Sequence, residues 1–337
     1  MSESTSPTLA NFPVTSTEKS GWPWSLEREL IDIDRSQKWP KITVFTPNYN
    51  YGHYLEETIR SVLLQGYPNL EYIIIDGGST DNSVEVIKKY EPWLTYWTSE
   101  ADRGQTHAIN KGLAKATGEV FNWINSDDVL MPGALFAIAE GIKDYDAFAG
   151  VVTNFDELGN QEPVIAKNIT AEGLLTKFNT TNRPGENATV YHQPGFWFRT
   201  ELLKNIGSLN ENLRIQFDFD RVVRYVHRYP NVNYSDRVLV NFRLHQEQKT
   251  APGNIEQEGQ NIVKSVLDDP EYQALSKPAQ LWLMRLVWYE KLAEFDRQTD
   301  KSKLLQSLKI LLLSCRNPPA YWTRYTFGGI RKILTRL

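Results

Sequence analysis

The feature that most restricts this chain is an alternation packed into residues 41–132, where short β-branched runs take turns with stretches of helical spacing. Lys41–Thr46 reads as a strand closed by Pro47. From Tyr54 to Gln65 the apolar positions Leu55, Ile59, Val62 and Leu63 keep helical spacing, and Gly66 and Pro68 stop the helix. Leu70–Ile75 is a second strand, and Asn82 caps the helix after it, with Glu85 three residues on. A strand over Leu94–Thr98, a helix over Gly104–Ala116 and a strand over Glu119–Ile124 continue the series, and Pro132 suits the first turn of a further helix. Strands joined by helical crossovers make an α/β fold with a mainly parallel sheet flanked by helices. Ligands of such sheets bind beyond the carboxyl ends of the strands. Three of those ends carry polar residues: Thr46-Pro47-Asn48, Asp76, and Asn125-Ser126-Asp127-Asp128.

The second half is more mixed. It reads as a strand over Asp146–Phe155, a short helix over Ala171–Phe178, an aromatic strand over His192–Arg199, a helix over Phe217–Tyr229 and a strand over Val232–Phe242. From Ile255 the pattern is helical, broken at Pro318-Pro319. The expected division is a lead-in segment over 1–38, a domain over 39–250 made of halves 39–130 and 131–250, and a helical extension over 251–337. Trp22, Pro23 and Trp24 open a segment expected to pack on the main domain. A net charge of -4 excludes nucleic acid as the main partner. The single cysteine, Cys315, permits no internal disulfide and fits a reducing compartment, the cytoplasm. The first 20 residues, rich in Ser, Thr and Pro, read as a disordered tail and not as a signal peptide. No apolar run is long enough to span a membrane.

Asp127 and Asp128 sit side by side where an apolar strand ends. Asn-Ser-Asp-Asp is also good turn chemistry. The sharper reading is a divalent-metal site that holds a nucleotide diphosphate, because only a cation makes two acids and a diphosphate favourable neighbours. Oxygen ligands suit Mg²⁺ or Mn²⁺.

Four motifs, in order and spacing, carry a resemblance. Thr46-Pro47-Asn48-Tyr49-Asn50, Ile75-Asp76-Gly77-Gly78-Ser79-Thr80-Asp81, Gly104-Gln105 with Asn110-Lys111-Gly112, and Asn125-Ser126-Asp127-Asp128 resemble family 2 glycosyltransferases, over roughly residues 40–250. The resemblance implies the Rossmann-like GT-A fold, a nucleotide-sugar donor, inversion at the sugar and a divalent cation. It implies nucleotide contacts from Thr46, Asn48, Asp76, Arg103, Asn125 and Asp127, with capping of the next turn as the plainer role for Asp76. The family's usual Asp-x-Asp reads Asn125-Ser126-Asp127 here, so the metal falls to Asp127, Asp128 and His245 of Arg243-Leu244-His245. A structural histidine is the alternative at 245. Gln216–Arg224 resembles the segment with the general base, which makes Asp218 the base. Asp220 points elsewhere on the helical wheel and reads as structural. Gln193, Trp197 and Arg224 are expected on the acceptor side, with core packing as the other role for Trp197.

Together these imply a metal-dependent, hexosyltransferase-like enzyme. Its donor is expected to be a UDP-sugar and its acceptor a glycan or lipid-linked hydroxyl in surface-glycan or polysaccharide synthesis. A nucleotidyltransferase of similar sheet would need a glycine- and lysine-rich loop after the first strand, which Thr46-Pro47-Asn48-Tyr49 does not provide. A non-catalytic sugar-binding protein would not need Asp218 with the Asp127–Asp128 pair. Residues 301–337 hold eight Lys and Arg, no Asp or Glu, and leucines on one helical face. That pattern fits peripheral contact with the inner face of the plasma membrane. It equally fits a helix packed on the main domain with its basic face in water.

Overall fold

The computed structural model describes residues 7–13, 19–27, 37–176, 189–248, 255–275, 277–297 and 303–335. Phe178 at the end of the expected short helix, Lys301 and Arg336 in the basic tail, and parts of the lead-in segment lie outside them. Two compact units emerge, Met1–Thr170 with Glu186–Thr250, and Ala171–Gly185 with Ala251–Leu337.

The first unit holds the alternation expected from the sequence: β1 (Ile42–Asn48), α1 (Gly52–Leu63), β2 (Leu70–Asp76), α2 (Ser83–Tyr90), β3 (Tyr96–Ser99), α3 (Gln105–Lys115) and β4 (Val120–Trp123). β1 is buried along its whole length, and its hydroxyls find partners inside: Thr43 donates to Glu71 and Thr46 meets the Tyr72 hydroxyl. β5 (Val129–Leu130) follows, then α4 (Ala134–Gly141). Pro132 lies ahead of α4, not in its first turn, because Gly133 at φ 73° makes the turn out of β5 and stands as the N-cap. β6 (Ala147–Asp156) and β7 (Gln161–Val164) form an antiparallel pair. In the second unit's share of the chain, α5 spans Ala171–Thr176. β8 (Phe196–Arg199), α6 (Thr200–Asn205), α7 (Phe217–Arg228) and β9 (Val232–Leu244) complete the first unit.

The sheet runs β3-β2-β1-β4-β8-β6-β9-β5, with β7 beside β6. β1 to β4 are mutually parallel, while β8 enters antiparallel between β4 and β6. β6 and β9 are again parallel, and β5 is antiparallel to β9. The register brings Asn48 beside Asp76 and Asp76 beside Ser99, so three strands end at one level. At the other end of β2, Glu71 accepts from Lys41 Nζ at 2.6 Å, Thr43 Oγ1 at 2.7 Å and the Thr117 amide at 2.7 Å. Burial opposes its ionisation, but these bonds prevail and bring the carboxyl down to about 2. The lead-in segment packs on this unit: Trp22 Nε1 donates to the Leu130 carbonyl at 2.9 Å, and Arg60 donates to the carbonyls of Pro23 and Trp24.

The second unit continues with α8 (Ile255–Asp268), α9 (Lys277–Arg297), α10 (Lys303–Ser314), α11 (Pro318–Tyr321) and α12 (Arg324–Thr335). Its core gathers Trp288 and Phe295 of α9, Ile310 of α10 and Ile333 of α12. Pro318-Pro319 opens α11 as well as ending the preceding stretch, since proline suits a helix's first turn.

Candidate active site

Two loops beyond the strand ends brace each other. Asn48 Nδ2 donates to Asp76 Oδ1 at 2.7 Å. Asn50, held at φ 57°, donates its amide to Ser79 Oγ at 2.7 Å and accepts from the Thr80 amide at 2.8 Å. Asp81 accepts from the Gly52 amide at 2.8 Å and from the Ser83 amide at 3.0 Å, tying the start of α1 to the start of α2. Asp76 itself is fully buried. Besides Asn48 it accepts from the amides of Gly78 and Ser79, from Ser79 Oγ at 2.5 Å and from Ser99 Oγ at 2.6 Å. Its oxygens are occupied by the turn. Thr46 is buried too, with its hydroxyl 3.1 Å from that of Tyr72. Neither Asp76 nor Thr46 reaches the cleft that opens above these loops, whereas Asn48 does.

That cleft has a volume of about 590 Å³. On one side it is lined by Asn48, Tyr49, Gly77 and Asp102, on its floor by Asn125 and Asp127, and on the far side by Gln193, Arg214 and Asp218. Asn125 accepts from Gln105 Nε2 at 2.8 Å, which anchors it to the start of α3. Asp127 Oδ2 lies 3.0 Å from His245 Nε2, and the rings of Tyr51 and Tyr54 pack around that imidazole. Asp128 turns the other way. It is fully buried, behind the floor, and accepts from Asn125 Nδ2 at 3.3 Å and from the Arg243 amide at 3.4 Å. Burial, then the neighbouring Asp127 charge, push its carboxyl well above the ordinary carboxylate range. The turn at Ser126-Asp127, closed by the Asp128 amide donating to the Asn125 carbonyl, leaves only Asp127 on the cleft.

Asp218 stands in the first turn of α7, where the helix dipole favours a negative charge. The Tyr191 hydroxyl donates to its Oδ2 at 3.4 Å. Burial, then the Asp218 charge, hold that phenol well above its ordinary range, so it stays a donor. Gln193 borders the cleft, but its amide nitrogen is tied to Asn122 Oδ1 at 2.9 Å and to the Trp123 carbonyl at 3.0 Å. Three residues expected at the site lie elsewhere. Trp197 is fully buried in the core, because β8 is covered on both faces. Arg224 pairs with Asp220 at 2.8 Å one turn earlier on α7. Arg103 is exposed and pairs with Glu211 at 2.7 Å.

The profile of Glycosyl transferase family 2 matches residues 43–207. Over residues 43–207 this is a family 2 glycosyltransferase sequence. An uncharacterized glycosyltransferase of Nostoc sp. is 39% identical over 128 residues, which is 37% of this chain and 39% of that relative. Glycosyltransferase GlyG of Streptococcus pneumoniae is 34% identical over 121 residues, 34% of this chain and 40% of its own length. The chain thus spans about two fifths of these relatives' length. S. aureus TarS 1–349, solved with UDP-GlcNAc, superposes with a TM-score of 0.56 at 19% identity, covering 83% of this chain and 78% of TarS. Mannosyltransferase PcManGT of Pyrobaculum calidifontis, solved with GDP-Man and Mn²⁺, gives 0.51 at 18% identity, covering 93% and 90%. The sheet and its helices are the GT-A fold.

Among the described residues, no group of three or more His, Cys, Asp or Glu side chains is gathered. Asp127 and His245 would offer a Mg²⁺ or Mn²⁺ two protein ligands, with phosphate oxygens and water left to fill the other positions. The buried His245 Nδ1 has no partner among the described residues. Asp128, fully buried, does not line the cleft. Two further residues line the cleft without belonging to the motifs read in the sequence. Asp102 follows β3 in a loop, and its Oδ1 accepts from the Gly104 amide at 2.7 Å. Its Oδ2 faces Gly77 so closely that a methyl group there would sit 2.8 Å away, and 3.3 Å from the Tyr49 ring. Arg214 reaches the cleft from the loop before α7. An acid immediately before Arg103-Gly104, and a cation four residues before Asp218, were the available hints.

Proposed function

We propose that this protein is an inverting glycosyltransferase that moves a sugar from a nucleotide diphosphate donor, a UDP-sugar, to an acceptor hydroxyl. The observation that carries the reading is a single cleft lined by both Asp127 and Asp218, one acid for the donor's phosphate end and one for the acceptor. The proposed acceptor is a glycan or lipid-linked hydroxyl in surface-glycan or polysaccharide synthesis.

The base end of the donor lies over Tyr49 and Gly77, with the open oxygen of Asp102 accepting a ring N–H from the base. Asp76 serves at one remove by shaping the turn. Asn48 borders the same wall and braces Asp76 from it. TarS was solved with a uracil nucleotide and PcManGT with a guanine nucleotide, and both bases carry such a ring N–H. Asn125 and Arg214 face the ribose and diphosphate. A divalent cation, Mg²⁺ or Mn²⁺, held by Asp127 with His245 alongside, would supply Lewis-acid stabilisation of the leaving diphosphate. Asp218 takes the proton of the acceptor hydroxyl as that oxygen attacks the anomeric carbon. The bond from that carbon to the diphosphate oxygen breaks on the opposite face, which inverts the sugar. Tyr191 orients Asp218 from behind.

The test is release of UDP from a panel of UDP-sugars with glycan and lipid-linked acceptors, for wild type and Asp218→Asn. A positioned general base is worth roughly 10²–10⁴ in rate, so the variant should lose transfer by that factor while its UDP dissociation constant stays within about twofold. Loss of UDP binding in Asp218→Asn would overturn the assignment.

A further inference from the structure

We propose that the outward face of α10, together with that of α12, docks in the plane of an anionic lipid bilayer. α10 is turned the wrong way round for a helix that faces water. Gln306, Ser307 and Ser314 are buried, beside Ile310 in the core of Trp288 and Phe295. Leu305, Leu308, Leu311 and Leu312 are exposed, from 42% at Leu311 to 70% at Leu312. At roughly 100° per residue the four leucines fall within about 120° of arc, opposite the buried polar positions. A contiguous apolar stripe of this kind marks an interaction surface.

The surrounding charge selects the partner. Residues 301–337 contain eight Lys and Arg and neither Asp nor Glu. Lys309 is exposed and borders the leucine stripe. On α12, Phe327 and Leu334 are exposed and share one helical face with Arg324 and Arg331. A second copy of this surface would bring like charges together. An anionic bilayer accepts the leucines and phenylalanine at the headgroup boundary and pairs the cations with lipid phosphates. No described helix is long and apolar enough to cross a membrane, so the contact lies along the surface. The sequence left two roles open for this helix, and the outward leucines favour the lipid one.

The experiment is co-sedimentation of the full chain with vesicles of phosphatidylcholine alone or mixed with phosphatidylglycerol. Wild type should bind the mixed vesicles at least about tenfold more tightly than the neutral ones, and high salt should weaken that binding. Leu308→Glu with Leu312→Glu should lose that binding by about tenfold or more, with its melting temperature kept, because both side chains already face out. If the pair unfolds the protein, Phe327→Glu carries the same test. Wild-type protein left in the supernatant, or variants that bind like wild type, would overturn the proposal. So would light scattering showing that the leucine variants only split a dimer.

Discussion

Exchanging Asp102 for asparagine should switch which base the donor site accepts. Asp102 Oδ1 is committed to the Gly104 amide at 2.7 Å, and that N–H needs an acceptor. The introduced asparagine therefore keeps its carbonyl oxygen there and presents its NH₂ group where Oδ2 faced the cleft. A uracil ring N–H then meets a donor instead of an acceptor. A hydrogen bond to a charged group contributes about 1.5–3 kcal/mol, so UDP affinity should fall by about 10- to 150-fold. Cytosine, which offers a bare ring nitrogen at the same edge, gains the bond that uracil loses. Calorimetric titration of UDP and CDP against wild type and Asp102→Asn, with Mn²⁺ present, measures both changes. An unchanged ratio of UDP to CDP affinity would refute the placement of Asp102 against the base. Gly77→Ala gives an independent check, since its methyl would crowd Asp102 Oδ2 at 2.8 Å and should weaken UDP binding without favouring CDP.

Asp127→Ala should weaken Mn²⁺-dependent UDP binding, whereas Asp128→Asn should leave it within about twofold, because Asp128 is turned from the cleft and an amide fills its place; equal losses in the two variants would restore Asp128 to the metal. Glu71 has its carboxyl lowered from 4.5 to about 2 in the folded chain, so it contributes about 3 kcal/mol above the unfolded value, lost as pH falls through that range. Urea unfolding should accordingly show Glu71→Gln destabilised at pH 7, with the gap to wild type closing toward about pH 2, and a gap that does not shrink would refute this. Trp197→Ala should cost about 3–5 kcal/mol of stability by opening a cavity, with the acceptor KM of the surviving folded protein unchanged; a stable variant with a raised acceptor KM would return Trp197 to the acceptor side.

The elements from β1 to β4 were legible because their signals are local. Ile, Val and Phe in short runs, leucines at helical spacing and glycines at the stops need no distant partner to be read. The motif residues were legible too, but their roles depend on side chains that arrive from elsewhere. Asp76 looks like a ligand contact until Ser79 and Ser99, from a turn and from the next strand, fill its oxygens. Asp127 and Asp128 look equivalent until the turn at Ser126-Asp127 sets them apart and the amide of Arg243, 115 residues after Asp128, bonds to the buried one. Aromatic β8 gave no sign of which face would be covered, because the strands on both sides of it come from distant parts of the chain. The leucines of α10 were visible as a stripe, but which way the stripe faces is set by what α9 and α12 leave room for.

The place of β8 also governs how the chain can be assembled. β4 ends at Trp123, and the strand that covers its open side ends at Arg199, 76 residues later. At a synthesis rate of about 5–20 residues per second, the parallel half of the sheet waits roughly 4–15 s with the β4 backbone unpaired along one side. For that interval Val120, Phe121 and Trp123 form an apolar strand open to pairing with another chain. A fragment ending near residue 130 would remain in that condition permanently. It should collect in inclusion bodies, while a fragment carried through β9 should not.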